Sequence, residues 1–353
     1  MIIDLPGTST SDIGRKLVTL RGDVGAMALG RVLTLVVVVD SEHLDVAMTA
    51  ATDASRQHPS RIIALVPESR RGNPRLDAQI RVGGDAGASE VVIVHLYGGL
   101  ADHGRSVALP LLLAAARELV NAGHAVVLHA RSHERARACA DLAPRAAGVV
   151  IGDLSRADET RDVADQVNAL GRMDAVIHNA GVYQTSGRAD TPEGHPTIIA
   201  VNILAPYVLT ALIERPSRLV YLSSGMHRSG NGSLRDIEWR ERRWSATQAY
   251  SDSKLYLTAL AFAIARHWPG VLSNAVDPGW VATKMGGAGA PDDFEEGYRT
   301  QTWLATSDDR AAQVSGHYWH HRRQEAPARD VPTIDFQDRL VARLAELTGV
   351  SLF

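Results

Sequence analysis

The stretch that decides the fold runs from residue 125 to residue 178 and reads AVVLHARSHERARACADLAPRAAGVVIGDLSRADETRDVADQVNALGRMDAVIH. Within and beyond it, apolar strand candidates alternate with helical segments. The strand candidates are AVVLHA (125–130), GVVIGD (148–153), DAVIH (174–178), RLVYLSS (218–224) and VLSNAVDP (271–278). Apolar strands separated by helices predict an α/β fold with a doubly wound parallel sheet. Ligands of such sheets bind beyond the carboxyl ends of the strands, so residues there are the candidates for function.

Composition limits the class of protein. The chain has 353 residues, 45% of them hydrophobic, and a net charge of −3, which excludes a disordered chain and gives no sign of a nucleic-acid partner. The single cysteine, Cys139, leaves no intrachain disulfide and no cysteine-based metal site. The longest apolar run, at 33–39, is far shorter than the roughly 20 residues that span a bilayer, and no signal peptide is evident. We therefore expect a cytoplasmic protein that binds no membrane and no metal.

Tyr250 and Lys254 form a Y-x-x-x-K pair in a predicted helix that opens near Ser245. Their spacing of four places both side chains on one helical face. A phenol is a poor acid–base catalyst at neutral pH, and a cation beside it favours the phenolate. Only three of the 37 basic residues are lysines, so a retained lysine needs a reason that arginine would not meet. A motif this short also arises by chance, so it requires support.

Support comes from residues at or beyond the predicted strand ends. These are Asn179-Ala180-Gly181 after DAVIH, Asn202 in the next helix, Ser223-Ser224 at the end of RLVYLSS, and Asp277-Pro278-Gly279 with Val281 and Thr283 after VLSNAV. Hydroxyl groups there are placed to polarise a carbonyl oxygen, and the small residues let a ligand approach the backbone.

This ordered set resembles the short-chain dehydrogenase/reductase family, from about residue 114 to the C-terminus. The resemblance implies a Rossmann-like sheet and assigns Tyr250 as the general acid/base. It implies that Lys254 lowers the tyrosine pKa and holds the nicotinamide ribose, and that Ser224 binds the substrate carbonyl. Asn202 is implied to support a water-linked proton relay.

The resemblance also implies cofactor contacts. They are Arg131, Asp153, Asn179, Ala180, Gly181, Tyr250, Lys254, Pro278, Gly279, Val281 and Thr283. Arg131 follows AVVLHA where the NADPH-dependent members carry a cation for the 2′-phosphate, so NADP is expected over NAD. A solvated surface cation remains the alternative interpretation of this arginine. His178 stands where the family more often has asparagine.

Two departures from the family pattern concern its loops. The glycine-rich phosphate loop is replaced, with Ser106, Pro110 and Leu112 at the three glycine positions. This leaves cofactor affinity open, because side chains there occupy space that a pyrophosphate needs. The segment between Ser224 and Tyr250 is longer than usual and resembles the retinol-dehydrogenase-like members, which points to a bulky apolar substrate.

The segment 1–113 resembles a different family, the glucose-6-phosphate dehydrogenase assembly proteins of the OpcA type. The resemblance lies in GRVLTLVVVVD (30–40), DASRQHPSRIIALV (53–66) and the long stretch from RLDAQIRV to ALPLLL (75–113). It implies glucose-6-phosphate dehydrogenase as a partner and a fusion at Leu113/Ala114, with a reductase-like domain that lacks its first strand and its phosphate loop. The small α/β segment could still complete the sheet: VVIVHLYG (91–98) would be its first strand, followed by a glycine-bearing loop and one continuous helix.

These observations predict an oxidoreductase that transfers hydride between NADP(H) and a carbonyl/alcohol pair. Two alternatives remain open: a non-catalytic partner of glucose-6-phosphate dehydrogenase, and a folded but inert fusion. Whether the chain forms a homo-oligomer is also open.

Overall fold

The computed structural model describes five separate strands in the first part of the chain and four longer ranges after them. It gives the strands at 2–4, 33–38, 60–65, 91–96 and 104–106, and the residues 109–137, 141–184, 187–281 and 289–353. The chain forms two compact units, Met1–Ala88 with Ala169–Gly171, and Ser89–Asn168 with Arg172–Phe353. In the first unit, β1 (Ile2–Asp4), β2 (Leu33–Val38) and β3 (Ser60–Leu65) form a parallel sheet in the order β1-β2-β3.

The second unit is built on an eight-stranded sheet. Its strands are β4 (Val91–Leu96), β6 (Ala125–Ala130), β7 (Gly148–Ile151), β8 (Ala175–His178), β10 (Arg218–Leu222), β11 (Leu272–Asp277), β12 (Tyr318–His320) and β13 (Arg323–Glu325). Their order is β13-β12-β11-β10-β8-β4-β6-β7, and every neighbouring pair is parallel except β12 with β13. A short antiparallel ribbon joins β5 (Gly104–Ser106) to β9 (Val182–Gln184). The predicted doubly wound α/β fold is confirmed.

Helices connect the strands. They are α1 (Leu109–Asn121), α2 (His133–Ala136), α3 (Ala157–Ala169), α4 (Thr197–Ile199), α5 (Ala205–Leu212), α6 (Ala246–His267), α7 (Phe294–Thr306) and α8 (Ile334–Thr348). Local sequence sets several of their ends. The Ser245 side chain accepts a hydrogen bond from the backbone of Gln248 at the start of α6, and Asp293 caps α7 in the same way. Gly349 ends α8 in the left-handed conformation, with φ of +66°. None of the helices described is long and apolar enough to cross a membrane.

Strand β4 confirms the hypothesis that VVIVHLYG (91–98) supplies the first strand of this sheet, and it corrects the expectation that the reductase-like fold lacks that strand. It lies between β6 and β8, in register from Val91 opposite Ala125 to Leu96 opposite Ala130. The reductase-like fold therefore has its first strand, which comes from the segment that precedes the predicted junction. A central parallel strand is covered on both faces, and the continuous apolar run VVIVHL is typical of that position.

The segment after β4 departs partly from the expected continuous helix. Residues 104–106 form strand β5, and α1 begins only at Leu109. The predicted junction at Leu113/Ala114 falls inside α1, whereas the compact units divide between Ala88 and Ser89. The predicted junction at Leu113/Ala114 concerns where one family resemblance ends and the other begins, and it stays a prediction. The first residues of the expected glycine-bearing loop, among them Gly98 and Gly99, lie outside the described residues.

The core lies between α1, the sheet and α7. Its members include Leu119 on α1, Leu128 on β6, Val220 on β10 and Val276 on β11, all 2% exposed or less. Burial of each such side chain contributes about 1.5–3 kcal/mol, which fixes the helices against the sheet. The strand ends that precede the candidate site residues are thereby held at one edge.

Candidate active site

A cavity of about 570 Å³ lies at the carboxyl ends of β8, β10 and β11. It is the position at which open parallel sheets bind ligands. Its lining consists of Leu111, Asn179, Gly181, Tyr183, Leu222, Ser223, Ser224, Gly225, Met226, Tyr250, Lys254, Asp277, Pro278, Gly279, Trp280, Val281, Asp292 and His320. Eight of the residues predicted from sequence therefore meet at one cavity: Asn179, Gly181, Ser224, Tyr250, Lys254, Pro278, Gly279 and Val281.

Tyr250 and Lys254 lie on the buried first half of α6. The Lys254 Nζ atom donates a 2.6 Å hydrogen bond to the Leu222 carbonyl oxygen and lies 5.6 Å from the centre of the Tyr250 ring. Burial lowers the pKa of Lys254 to about 8, and the nearby Asp277 carboxylate acts in the opposite direction. Burial also raises the pKa of Tyr250 far above its ordinary value, while a hydrogen bond with Ser224 lowers it. The phenol is therefore protonated at neutral pH and placed beside a cation.

The two serines at the end of β10 point to different neighbours. Ser223 is 3% exposed, and its Oγ atom shares a 2.6 Å hydrogen bond with Thr258 on α6. Ser224 begins a 3-10 turn by accepting a bond from the backbone of Met226, and its hydroxyl contacts Tyr250. Successive side chains of a strand face opposite ways, which explains the division. The second serine is the one whose hydroxyl meets the tyrosine.

Asn202 is fully buried in a π-helical turn, Ala200–Leu204, between α4 and α5. Its side-chain amide bonds both backbone groups of Val182: Oδ1 accepts from N at 2.8 Å, and Nδ2 donates to O at 3.0 Å. The Nδ2 atom also donates to Ser253 Oγ. These contacts tie the backbone that follows β8 to α6. The proton-relay role of Asn202 stays a prediction.

The Asn179-Ala180-Gly181 segment follows β8 directly. Asn179 donates from Nδ2 to Gln301 Oε1 at 2.9 Å, while its buried Oδ1 atom has no hydrogen-bond partner within the described part of the chain. Ala180 is buried as well. A Cβ atom added at Gly181 would lie 3.3 Å from Lys254 Nζ, so only glycine keeps this side of the cavity open.

The segment after β11 forms the opposite wall. Gly279 has φ of +81°, and an added Cβ atom would lie 2.7 Å from Asp292 Oδ2. Both the conformation and the space at this position require glycine. Pro278 and Val281 line the cavity beside it. The predicted contact Thr283 lies outside the described residues.

Arg131 and Asp153 do not line this cavity. Arg131 directly follows β6 and is part-buried, at the same sheet edge as the cavity. Asp153 follows β7, where its Oδ1 atom accepts bonds from both the backbone and the hydroxyl of Ser155. Their positions match the sheet edge expected for the adenosine half of a dinucleotide, and their cofactor roles stay predictions.

The sequence prediction missed several residues of the site. Asp277 received no role, although it lines the cavity and accepts hydrogen bonds from Gly279 N at 2.9 Å and from Tyr318 OH at 2.8 Å. Tyr183 packs edge-on against Tyr250, with ring centres 5.0 Å apart. An acidic residue that ends an otherwise apolar strand was the available signal for Asp277. Nothing in the local sequence pointed to Tyr183 or Tyr318.

Two family matches agree with the resemblances found in the sequence. The family described as Enoyl-(Acyl carrier protein) reductase matches residues 111–314. The family described as Glucose-6-phosphate dehydrogenase subunit N-terminal domain matches residues 51–151, so it extends beyond the predicted junction and overlaps the first match.

Individual relatives point the same way. A short-chain dehydrogenase, chyC of Penicillium rubens, is 41% identical over 68% of this chain and 94% of its own length. Human retinol dehydrogenase 13 is 28% identical over 67% of this chain and 80% of its own length. A crystal structure of a protein from Mycobacterium paratuberculosis matches with a TM-score of 0.62 and 25% identity, covering 75% of this chain and 96% of that one. The chain belongs to the short-chain dehydrogenase/reductase family and is an oxidoreductase of that type.

Members of this family bind a nicotinamide cofactor, and the nicotinamide end of the site fits one. Gly181 keeps the backbone open beside Lys254, and Asn179 presents a buried oxygen without a partner. At the phosphate end, α1 follows β4 and directs backbone N–H groups toward its start. Pro110, in its first turn, supplies no such donor. The residues therefore fit the ribose–nicotinamide portion better than the pyrophosphate.

Proposed function

We propose that the protein interconverts a carbonyl compound and its alcohol with NADP(H), using Tyr250 as the acid/base. The observation that carries the proposal is the convergence of Tyr250, Lys254 and Ser224 on one cavity. Tyr250 and Lys254 lie on successive turns of α6 and Ser224 follows β10, yet all three side chains line the same cavity. The bound cofactor would supply or accept the hydride.

The residues divide the remaining work. In reduction, the Ser224 hydroxyl donates a hydrogen bond to the substrate oxygen and Tyr250 donates its proton as negative charge develops there. The raised pKa of Tyr250 keeps that proton in place at neutral pH. Lys254 holds a positive charge beside the phenolate that remains, fixed in position by the Leu222 carbonyl. In oxidation the same groups act in reverse.

The test is the substitution Tyr250→Phe, with Tyr256→Phe as the matched control. Tyr256 lies on the same helix and is buried, but its hydroxyl bonds the backbone of Asn231 and Ser233 away from the cavity. Loss of an acid/base group lowers turnover by about 10²–10⁴-fold, so Tyr250→Phe is expected to lose nearly all NADPH-dependent carbonyl reduction. Retained turnover in Tyr250→Phe, or an equal loss in the control, would contradict the proposal.

The NADP preference rests on Arg131, the first residue after β6. A guanidinium there suits a 2′-phosphate, and no acidic residue stands at that position to favour a free ribose. Arg131→Ala is expected to weaken NADPH binding by about ten-fold, because one charge-assisted contact with the 2′-phosphate is lost, while NADH binding changes little. Fluorescence titration of both cofactors measures this. Equal losses for the two cofactors would remove the basis for the preference.

A second candidate function comes from the match at residues 51–151 to the glucose-6-phosphate dehydrogenase subunit domain. In this second candidate function, residues 51–151 bind glucose-6-phosphate dehydrogenase. Co-purification of the full chain with that enzyme, undiminished in Tyr250→Phe, would support it. Absence of any complex at micromolar concentrations would count against it.

A further inference from the structure

We propose that Asp277 determines substrate choice: the cavity takes uncharged or cationic carbonyl compounds that carry an N–H or O–H donor near the reacting carbon, and it excludes carboxylates and phosphates. This inference rests on the proposed function, because it concerns the substrate of the same site. It identifies a class of substrate by charge and hydrogen bonding.

The position of Asp277 supports this. It is the last residue of β11 and lines the cavity together with Ser224 and Tyr250. A Cβ atom added at Gly225, on the serine side of the cavity, would lie 3.1 Å from Asp277 Oδ2. The carboxylate therefore lies close to the place where the reacting carbonyl would be bound.

Two protein donors hold the carboxylate in place. Its Oδ1 atom accepts from Gly279 N at 2.9 Å, and its Oδ2 atom accepts from Tyr318 OH at 2.8 Å. Each carboxylate oxygen can accept more than one hydrogen bond, so both retain capacity for a ligand. Because the group is fixed before any ligand arrives, little ordering is needed when a donor binds.

Acidic side chains outnumber lysine and arginine side chains among the described residues of the lining. Among the described residues that line the cavity, Asp277 and Asp292 carry carboxylates, Lys254 carries an ammonium group and His320 carries an imidazole. The ammonium group of Lys254 is already bonded to a backbone carbonyl. A second anion brought beside Asp277 would meet a like charge in a site of low dielectric constant, which is strongly unfavourable.

A second acceptor lies in the same lining, at the end of the site that fits the nicotinamide. The Oδ1 atom of Asn179, a residue that lines the cavity and is 2% exposed, is an acceptor without a partner within the described ranges. Several apolar side chains complete the lining, among them Leu111, Met226 and Val281. The arrangement suits an apolar body with a polar, donor-bearing end.

The alternative is that Asp277 only anchors the loop after β11. Two variants separate the roles. Asp277→Asn removes the charge while its side-chain oxygen still accepts from Gly279, and Tyr318→Phe removes one anchoring bond while the charge remains. Asp308→Asn is the control for general charge effects, because the Asp308 side chain is 98% exposed and is not part of the lining.

Binding of three probes of nearly equal shape, benzamidinium, benzamide and benzoate, is measured by calorimetry on the full chain. We expect benzamidinium to bind about ten-fold or more tightly than benzoate, with benzamide between them. In Asp277→Asn that ratio is expected to fall about five-fold or more, whereas Tyr318→Phe and Asp308→Asn keep it.

Other results overturn the inference. They are a ratio near unity or reversed in the parent protein, a smaller change in Asp277→Asn, or no binding of any probe. Because the readout is binding, it is independent of turnover. If no carbonyl is reduced at all, the proposed function fails while the charge preference is still decided by this measurement.

Discussion

His227 is expected to position Ser224, and the two nitrogens of its ring allow a sharp test. The Nε2 atom accepts a 2.9 Å hydrogen bond from Ala328 N, so it carries no proton. The proton is therefore on Nδ1, which donates to the Ser224 carbonyl oxygen at 2.8 Å. The ring is fully buried and packs against Tyr318, with ring centres 4.4 Å apart. His227 thus connects the segment around Ala328 to the serine of the site.

Two substitutions each keep one of these bonds. The side-chain nitrogen of asparagine can take the place of Nδ1, so His227→Asn keeps the bond to Ser224 and loses the bond to Ala328. Glutamine reaches further, so the oxygen of His227→Gln can accept from Ala328 while the bond to Ser224 is lost. His227→Asn leaves the Ala328 N–H group without its partner, at a cost of about 1–3 kcal/mol in the free energy of unfolding. In His227→Gln the Ser224 carbonyl oxygen still accepts the 3.0 Å hydrogen bond from the backbone N–H of residue 227, so the expected loss of stability is smaller.

The variant that loses less stability, His227→Gln, should lose more activity. Displacement of a catalytic group by 1 Å can lower a rate by up to about 10²-fold. We therefore expect His227→Gln to lower kcat about ten-fold with a smaller change in KM, and His227→Asn to lower kcat about two-fold or less.

Urea unfolding gives the stabilities, and steady-state reduction of one carbonyl with NADPH gives kcat and KM. Equal kcat values for the two variants, or a slower His227→Asn, would refute the positioning role and leave His227 as a structural residue.

Three further outcomes are expected. Burial lowers the pKa of His129 to about 4 and that of His178 to about 3, so the folded state binds protons less readily than the unfolded one. The contribution of the two histidines to the free energy of unfolding is complete above about pH 6.5 and falls by about 3 kcal/mol for each by pH 4. Urea unfolding that is unchanged between pH 7 and 4.5 would contradict this. Gly181→Ala, whose Cβ atom would lie 3.3 Å from the ammonium of Lys254, should lower kcat/KM about ten-fold and the free energy of unfolding by less than about 1 kcal/mol. An unchanged kcat/KM would show that the Lys254 side chain moves aside without cost. Asp252 is fully buried and forms a 2.7 Å ion pair with Arg242, which lies in the segment before α6. Asp252→Ala should therefore lower the free energy of unfolding by about 3 kcal/mol. A loss under about 1 kcal/mol would mean that water solvates the Arg242 side chain in the variant.

Local patterns were enough to predict most of the sheet. The strand candidates after residue 120 are mainly apolar, and burial on both faces of a parallel sheet is what selects such segments. The same pattern identified the run VVIVHLYG, but a sequence pattern carries no strand order. Only the hydrogen bonds of β4 to β6 and β8 show that this strand is central.

The candidate site was predicted in outline because some of its residues follow strand ends and because Tyr250 and Lys254 share one helical face. Ser224, Tyr250 and Lys254 do meet at one cavity. The partners of Asp277 could not be found in this way, because Tyr318 is 41 residues away along the chain and reaches it only through the pairing of β11 with β12. The pairing of Arg242 with Asp252 is similarly invisible in a local pattern.

The sequence by itself determined the fold class and the family and predicted Tyr250 and Lys254 as the acid/base residue and its partner, since these depend on periodicity, on strand ends and on a four-residue helical spacing. The tertiary structure alone decided which strand completes the sheet, which serine faces the tyrosine, and which carboxylate stands in the cavity. The physical reason is that hydrophobic periodicity specifies which face of an element is buried, whereas contacts between elements depend on strand order and register. Those are fixed only when the whole core packs.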